Sequence, residues 1–153
     1  MVEVDYKKQG KTNRLRGQIF ETRVREDLEA KGWIVTKWMN TVDFERDKVA
    51  PSKRKYNPFT KALSIGTGFP DLLCFKKNGN LFEVLGVEVK TNGSLDKFEK
   101  GQCIWYLEKG IIPKILIARK KKDEDDSRKI AIHYEDFREK YMEKKTKLDK
   151  KKK

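Results

Sequence analysis

Asp71, Glu88 and Lys90 are the residues whose types and spacing suit chemistry on a phosphate. In Gly86-Val87-Glu88-Val89-Lys90, strand alternation puts Val87 and Val89 on one face and Glu88 and Lys90 on the other. Asp71 opens the preceding segment Asp71–Phe75, and an Asn78-Gly79 turn signal joins the two segments as a hairpin, which brings the Asp71 carboxylate beside Glu88. Two carboxylates with backbone carbonyls nearby form a hard-oxygen site suited to Mg²⁺, with Mn²⁺ able to substitute. Lys90 is then placed to orient or polarise a water. Phosphodiester hydrolysis needs this set: a metal to activate water and neutralise charge, and a cation at the developing transition state. Glu21 shares a helix face with Gly17, Val24 and Leu28 and is expected to point over the sheet toward the same place, the competing reading being an i,i+4 pair with Arg25.

The rest of the composition narrows the substrate. With 37 Lys and Arg against 24 Asp and Glu, the 153-residue chain carries a net charge of +13, which points to a polyanion. A single histidine, His133, excludes His-pair nucleases and His-rich metal sites and argues against Ser-His-Asp hydrolysis. Cys74 and Cys103 lie in apolar segments and read as reduced core thiols, so an intracellular, cytoplasmic or nucleoid-associated, protein is expected. No apolar run approaches the ~18 residues of a membrane span.

Positioning these groups requires a scaffold, and the pattern supplies one. Residues 1–12 read as a flexible basic arm. Leu15, Ile19, Phe20, Val24 and Leu28 predict a helix over 13–31 closed by Gly32, and Trp33–Trp38 reads as a strand. Residues 39–66 read as a long basic loop in which Arg46, Lys48, Lys53, Arg54, Lys55 and Lys61 surround Tyr56 and Phe59, fitting phosphate contacts with stacking on unpaired bases. Gly66-Thr67-Gly68-Phe69-Pro70 is a turn whose glycines permit close backbone approach to a ligand. After the hairpin, Ser94 is the expected N-cap of a helix reaching Lys109, with Leu95, Phe98, Gln102, Trp105 and Tyr106 inward. Strands at Lys114–Ala118 and Ile130–Tyr134, a solvated charged loop between them, a last helix from about Glu135 and a disordered Lys-rich tail at 146–153 complete one domain over 13–145. The fold class is α/β, a mixed central sheet flanked by helices.

Phe69-Pro70-Asp71 followed by Glu88-Val89-Lys90 resembles the PD-(D/E)xK nuclease motif, over roughly residues 13–134. A glutamate-bearing helix, then GTGFPD, then a hairpin ending in EVK, is similar to the archaeal-type Holliday junction resolvases. That resemblance implies a restriction-endonuclease-like core, metal roles for Glu21, Asp71, Glu88 and the Val89 carbonyl, a catalytic role for Lys90, and a homodimer cutting four-way DNA junctions. It also implies a Ser or Thr on the loop before Asp71, a place that Ser64 or Thr67 would fill. The stretch from Leu95 to Ala118 is similar to viral-type replication-repair nucleases, which would put Gln102 near the metal. The alternatives are a replication-repair or restriction-like nuclease on other branched or duplex DNA, and a nucleic-acid-binding module without cleavage.

Overall fold

Phe20, Val24 and Leu28 recur every fourth residue, and in the computed structural model, which describes residues 6–53, 55–58, 61–64 and 68–143, they form the buried face of helix α1 (Tyr6–Ala30). The helix stops where Gly32 adopts a φ of +87°, and β1 (Ile34–Lys37) follows directly. Two small hairpins come next, β2 (Asn40–Asp43) with β3 (Lys48–Pro51) and β4 (Lys55–Asn57) with β5 (Ala62–Ser64). The central hairpin is β6 (Leu72–Asn78) and β7 (Leu81–Val89), closed by Gly79 at a φ of +61°. Helix α2 (Lys97–Glu108), β8 (Ile115–Lys122), β9 (Ile130–Asp136) and a single π-helical turn (Arg138–Met142) complete the order.

The architecture is α/β. Five strands form one mixed sheet in the order β1-β6-β7-β8-β9, antiparallel except for the β7–β8 pair, which α2 connects as a crossover. Strand alternation divides the core in two. Leu72, Cys74, Leu85, Val87 and Ala118 pack with α1, whereas Leu73, Ile115 and Ile117 pack with Cys103, Tyr106 and Leu107 of α2. The two cysteines are therefore fully buried free thiols in separate clusters, and burial pushes the Cys74 thiol up to about 11. Among the described residues, no helix is long and apolar enough to cross a membrane.

The structure departs from the sequence expectations in several places. Residues 6–12, expected in a loose arm, belong to α1, and Leu15 and Ile19 are more than half exposed because the sheet ends before the helix reaches them. The expected loop at 39–66 contains the two hairpins, whose short strands lie among charged residues and give little apolar alternation. The N-cap of α2 is Asp96 rather than Ser94: its side chain accepts from the Glu99 amide at 2.8 Å while Glu99 returns a bond to the Asp96 amide. Phe98 faces outward, edge-on to Phe44 at 5.5 Å. Arg119–Lys122, expected in a solvated loop, extend β8 because β9 pairs with them throughout. Glu135 and Asp136 are still strand, so the last helical turn starts later than expected. The tail at 146–153 lies outside the described residues.

The approach to Asp71 is fixed by backbone. The Phe69 amide donates to the Asn40 carbonyl at 2.8 Å and the Trp38 amide to the Asp71 carbonyl at 3.0 Å, with the Phe69-Pro70 peptide cis. A Cβ on Gly68 would lie 2.0 Å from the Trp38 carbonyl oxygen, so Gly68 serves close approach to the protein's own chain. Gly68→Ala is expected to cost at least ~2 kcal/mol in urea unfolding. Gly101→Ala, whose methyl would meet only the Phe44 ring at 3.7 Å, is expected to be neutral or to stabilise α2 by up to ~1 kcal/mol. Equal midpoints for both variants would contradict this account of Gly68.

Candidate functional site

Leu72 pairs with Val87, so continuing the register sets Asp71 opposite Glu88 on the α2 face of the sheet. The two carboxylates replace the ladder there. The Asp71 amide donates to Glu88 Oε2 at 3.1 Å, and the Val89 amide donates to Asp71 Oδ2 at 3.0 Å. The next position in the register places Pro70 across from Val89, and proline has no N–H with which to extend the ladder. A residue's N–H and C=O project from the same side of a strand, so the Val89 carbonyl is directed to the side its amide shares with Asp71. Two carboxylates and a carbonyl thus gather at the end of the β6–β7 hairpin.

Glu88 is only 4% exposed. Burial, reinforced by the Asp71 charge, holds its carboxyl well above the ordinary range. Burial also raises Asp71, to about 6, with the Val89 amide, Lys37 and Lys90 opposing the rise and Glu21 adding to it. Lys90 lies 3.5 Å from Glu88 Oε1 and is also ion-paired with Glu99. Burial works against its charge, but Glu99 and Glu88 outweigh burial and push the ammonium pKa up. Lys90 therefore stands as a cation between two carboxylates, one on its own strand and one on the first turn of α2.

Glu21 reaches the edge of this site from the other face of the sheet. It accepts from Lys37 Nζ at 2.8 Å, and its charge is felt at Asp71. Arg25, the alternative partner, instead bonds Glu29 at 3.1 Å and the Val35 carbonyl at 2.8 Å. Gln102 is buried one turn beyond Glu99, and its side-chain oxygen is occupied by Thr41 Oγ1 at 2.6 Å and the Val42 amide at 3.1 Å. It ties the β2–β3 hairpin to α2. Asp47 does the same at the hairpin's turn, accepting from Trp105 Nε1 at 2.7 Å and pairing with Lys109.

The expected substrate contacts are spread over both small hairpins. Arg46 is exposed, with Asp43 at 3.9 Å, and Lys48, Lys53, Tyr56 and Lys61 are exposed as well. Lys55 and Ser64 pair with each other in the β4–β5 ladder. Arg54 and Thr67 lie outside the described residues. Sequence reasoning missed Glu99 and Lys37. The Asp96-x-x-Glu99 spacing is a capping-box signature and locates Glu99 on the first turn of α2, above the strand that carries Lys90. Lys37 follows from alternation after the buried Val35.

The donor set fits a hard divalent cation. A buried and a half-buried carboxylate, both with raised pKa values, carry more negative charge than their surroundings stabilise, and a cation between them would remove that conflict. Among the described residues no three His, Cys, Asp or Glu side chains form a complete metal cluster, so the set consists of Asp71, Glu88 and the Val89 carbonyl, with Glu21 held by Lys37. No protein-family model matches the chain, and no similar curated protein or solved structure is found.

The raised carboxyls set a pH dependence. The folded state binds protons more tightly than the unfolded chain at Asp71 and Glu88, so the contribution of these two groups to metal-free stability is greatest below the ordinary Asp and Glu range and falls as pH rises from about 4 through about 6. The Asp71 contribution to that fall is on the order of 3 kcal/mol at most. Chemical denaturation in EDTA between pH 4 and 8 should show a negative slope that Asp71→Asn flattens. An identical slope in the variant would contradict the assignment.

Proposed function

We propose that this protein is a Mg²⁺-dependent DNA endonuclease with a restriction-endonuclease-like core. The observation that carries the proposal is the pair of mutually bonded carboxylates, half-buried Asp71 and buried Glu88, with Lys90 beside them on the same strand face. A strongly basic protein has no binding use for clustered buried acids facing a polyanion unless a cation stands between them.

A Mg²⁺ or Mn²⁺ ion held by Asp71, Glu88 and the Val89 carbonyl would supply Lewis acidity to a phosphate and lower the pKa of an attacking water. The chain's own groups do the rest. Asp71 and Glu88 are oriented by amides of the opposing strand, so their remaining lone pairs are fixed before substrate arrives. Lys90 orients the attacking water and stabilises charge developing on the phosphorus. Glu99 keeps Lys90 protonated and holds it at the first turn of α2. Glu21 and Lys37 set the field at Asp71 from the opposite face.

The specific reading is structure-selective cleavage of four-way junctions, as the resemblance to Holliday junction resolvases implies, with a homodimer supplying two symmetry-related sites. The place of Gln102 does not favour the replication-repair reading, because its oxygen is engaged by the β2 strand.

A labelled four-way junction and its matching linear duplex, each incubated with Mg²⁺ or EDTA, test this. Wild-type protein is expected to nick the junction symmetrically in Mg²⁺ only. Asp71→Asn and Glu88→Gln should abolish cutting while retaining binding, and Lys90→Ala should lower the rate at least ~10²-fold. Equal cutting of duplex would replace the junction reading with that of a general nuclease. Binding without cutting in Mg²⁺, or full activity in the Asp71 variant, would overturn the nuclease reading.

A further inference from the structure

The N-terminal half of α1 buries nothing large. From Lys7 to Ile19 the helix has no residue in either core cluster, and the first buried side chain over residues 7–30 is Phe20. An amphipathic helix normally ends near the surface it packs on, because isolated helical turns are marginal in water. Here about 20 Å of helix projects past the core. Its composition is one-sided: residues 6–20 contain Lys7, Lys8, Lys11, Arg14 and Arg16 and no acidic residue. Leu15 and Ile19, 56% and 53% exposed, lie on the same projecting segment.

Side-chain contacts show where this segment points. Arg25 bonds the Val35 carbonyl and Glu21 bonds Lys37, so the helix runs antiparallel to β1 and reaches the Asp71 end of the sheet at Glu21. Everything N-terminal to Glu21 therefore extends beyond the carboxylate end. On the other side, the Lys90 amide bonds the Ala118 carbonyl, and β8 continues through Arg119, Lys120, Lys121 and Lys122 past that level. Lys120 sits over the Phe20 ring at 5.2 Å, and Arg23 donates to the Ile130 carbonyl at 3.0 Å, so the helix and the β8–β9 hairpin leave the sheet together. The acids near the hairpin tip are partly neutralised in place: Glu124 pairs with Lys121, and Asp126 with Arg128 and Lys129. Among the described residues, no acid pairs with Lys11, Arg14 or Arg16.

We propose that the projecting half of α1, through Lys11, Arg14 and Arg16, grips the phosphate backbone of the DNA arm that adjoins the strand presented to Asp71 and Glu88. The inference rests on the DNA reading above and extends it to a surface outside the two small hairpins. A span of about 20 Å corresponds to about six base pairs of duplex. A helical segment with cations and no acids, as residues 6–20 are, meets such a backbone without a repulsive term of its own, and the exposed Leu15 and Ile19 can cover the sugar edges of a groove.

The test uses the full-length protein and fluorescence anisotropy with a labelled four-way junction in EDTA, from 50 to 300 mM salt. The triple variant K11Q/R14Q/R16Q keeps helix-forming residues, and circular dichroism checks that the fold is retained. The control K31Q/K77Q/K114Q removes the same charge at the opposite end of the sheet. Each lost phosphate contact lowers the log–log salt slope by about 0.9, so the helix variant should lose about 2–3 units of slope and on the order of 10²-fold in affinity near 0.1 M salt, with the control close to wild type. A helix variant with the wild-type slope, or one matched by the control, would overturn the proposal. So would loss of binding to vesicles of mixed phosphatidylserine and phosphatidylcholine with DNA binding unchanged, because the helix would then be a membrane-surface element. Wild-type protein that binds no DNA at any salt would overturn the nuclease reading and this inference with it. Wild-type binding without Mg²⁺-dependent cutting, together with the expected slope change, would overturn the nuclease reading alone.

Discussion

Two hydrogen bonds hold the Asp71 and Glu88 carboxylates together: the Asp71 amide to Glu88 and the Val89 amide to Asp71. At the end of the β6–β7 ladder the strands stop exchanging backbone bonds and exchange backbone-to-carboxylate bonds. Each carboxylate is thereby fixed by the strand that carries the other. The cost is electrostatic, since Glu88 is removed from water, Asp71 is partly so, and the two stand close together, and both carboxyls are pushed upward in pKa. Such an arrangement conflicts with itself in the absence of a cation, and the proposed metal-assisted phosphate chemistry rests on that conflict.

The surrounding elements protect that geometry. Helix α1 seals one face of the hairpin through Phe20, Val24 and Leu28, and α2 seals the other through Cys103, Tyr106 and Leu107. The capping box of α2 does two jobs with one residue, because Glu99 both closes the helix start and holds Lys90. Gly68, pressed against the Trp38 carbonyl, sets the path by which the chain returns from the two small hairpins to Asp71. Gln102 and Asp47 pin the first of those hairpins to α2, so its position relative to the site is set by packing.

What could be read from the sequence follows period and turn chemistry. The central hairpin was legible because Asn78-Gly79 sits between two alternating apolar segments, and alternation alone put Glu88 and Lys90 on one face. The two small hairpins were not, since strands of three or four residues among lysines carry too little periodicity to separate from loop. The reach of α1 beyond the sheet is hidden for a related reason: apolar Leu15 and Ile19 look like core, but the sheet beneath them has ended. Partners of the site were the hardest to see. Lys37 meets Glu21 across sixteen residues and Glu99 meets Lys90 through a turn, and contacts of that kind depend on how helices are laid on the sheet.

Direct binding of Mn²⁺ to the full-length protein, followed by electron paramagnetic resonance of the free ion at pH 7.5, tests the central claim that Asp71 and Glu88 form a cation site. The account predicts saturable binding that weakens at least ~10-fold in Glu88→Gln and is unchanged in Lys77→Gln at the far end of the hairpin. Equal binding by wild type and Glu88→Gln would place the cation elsewhere and contradict it.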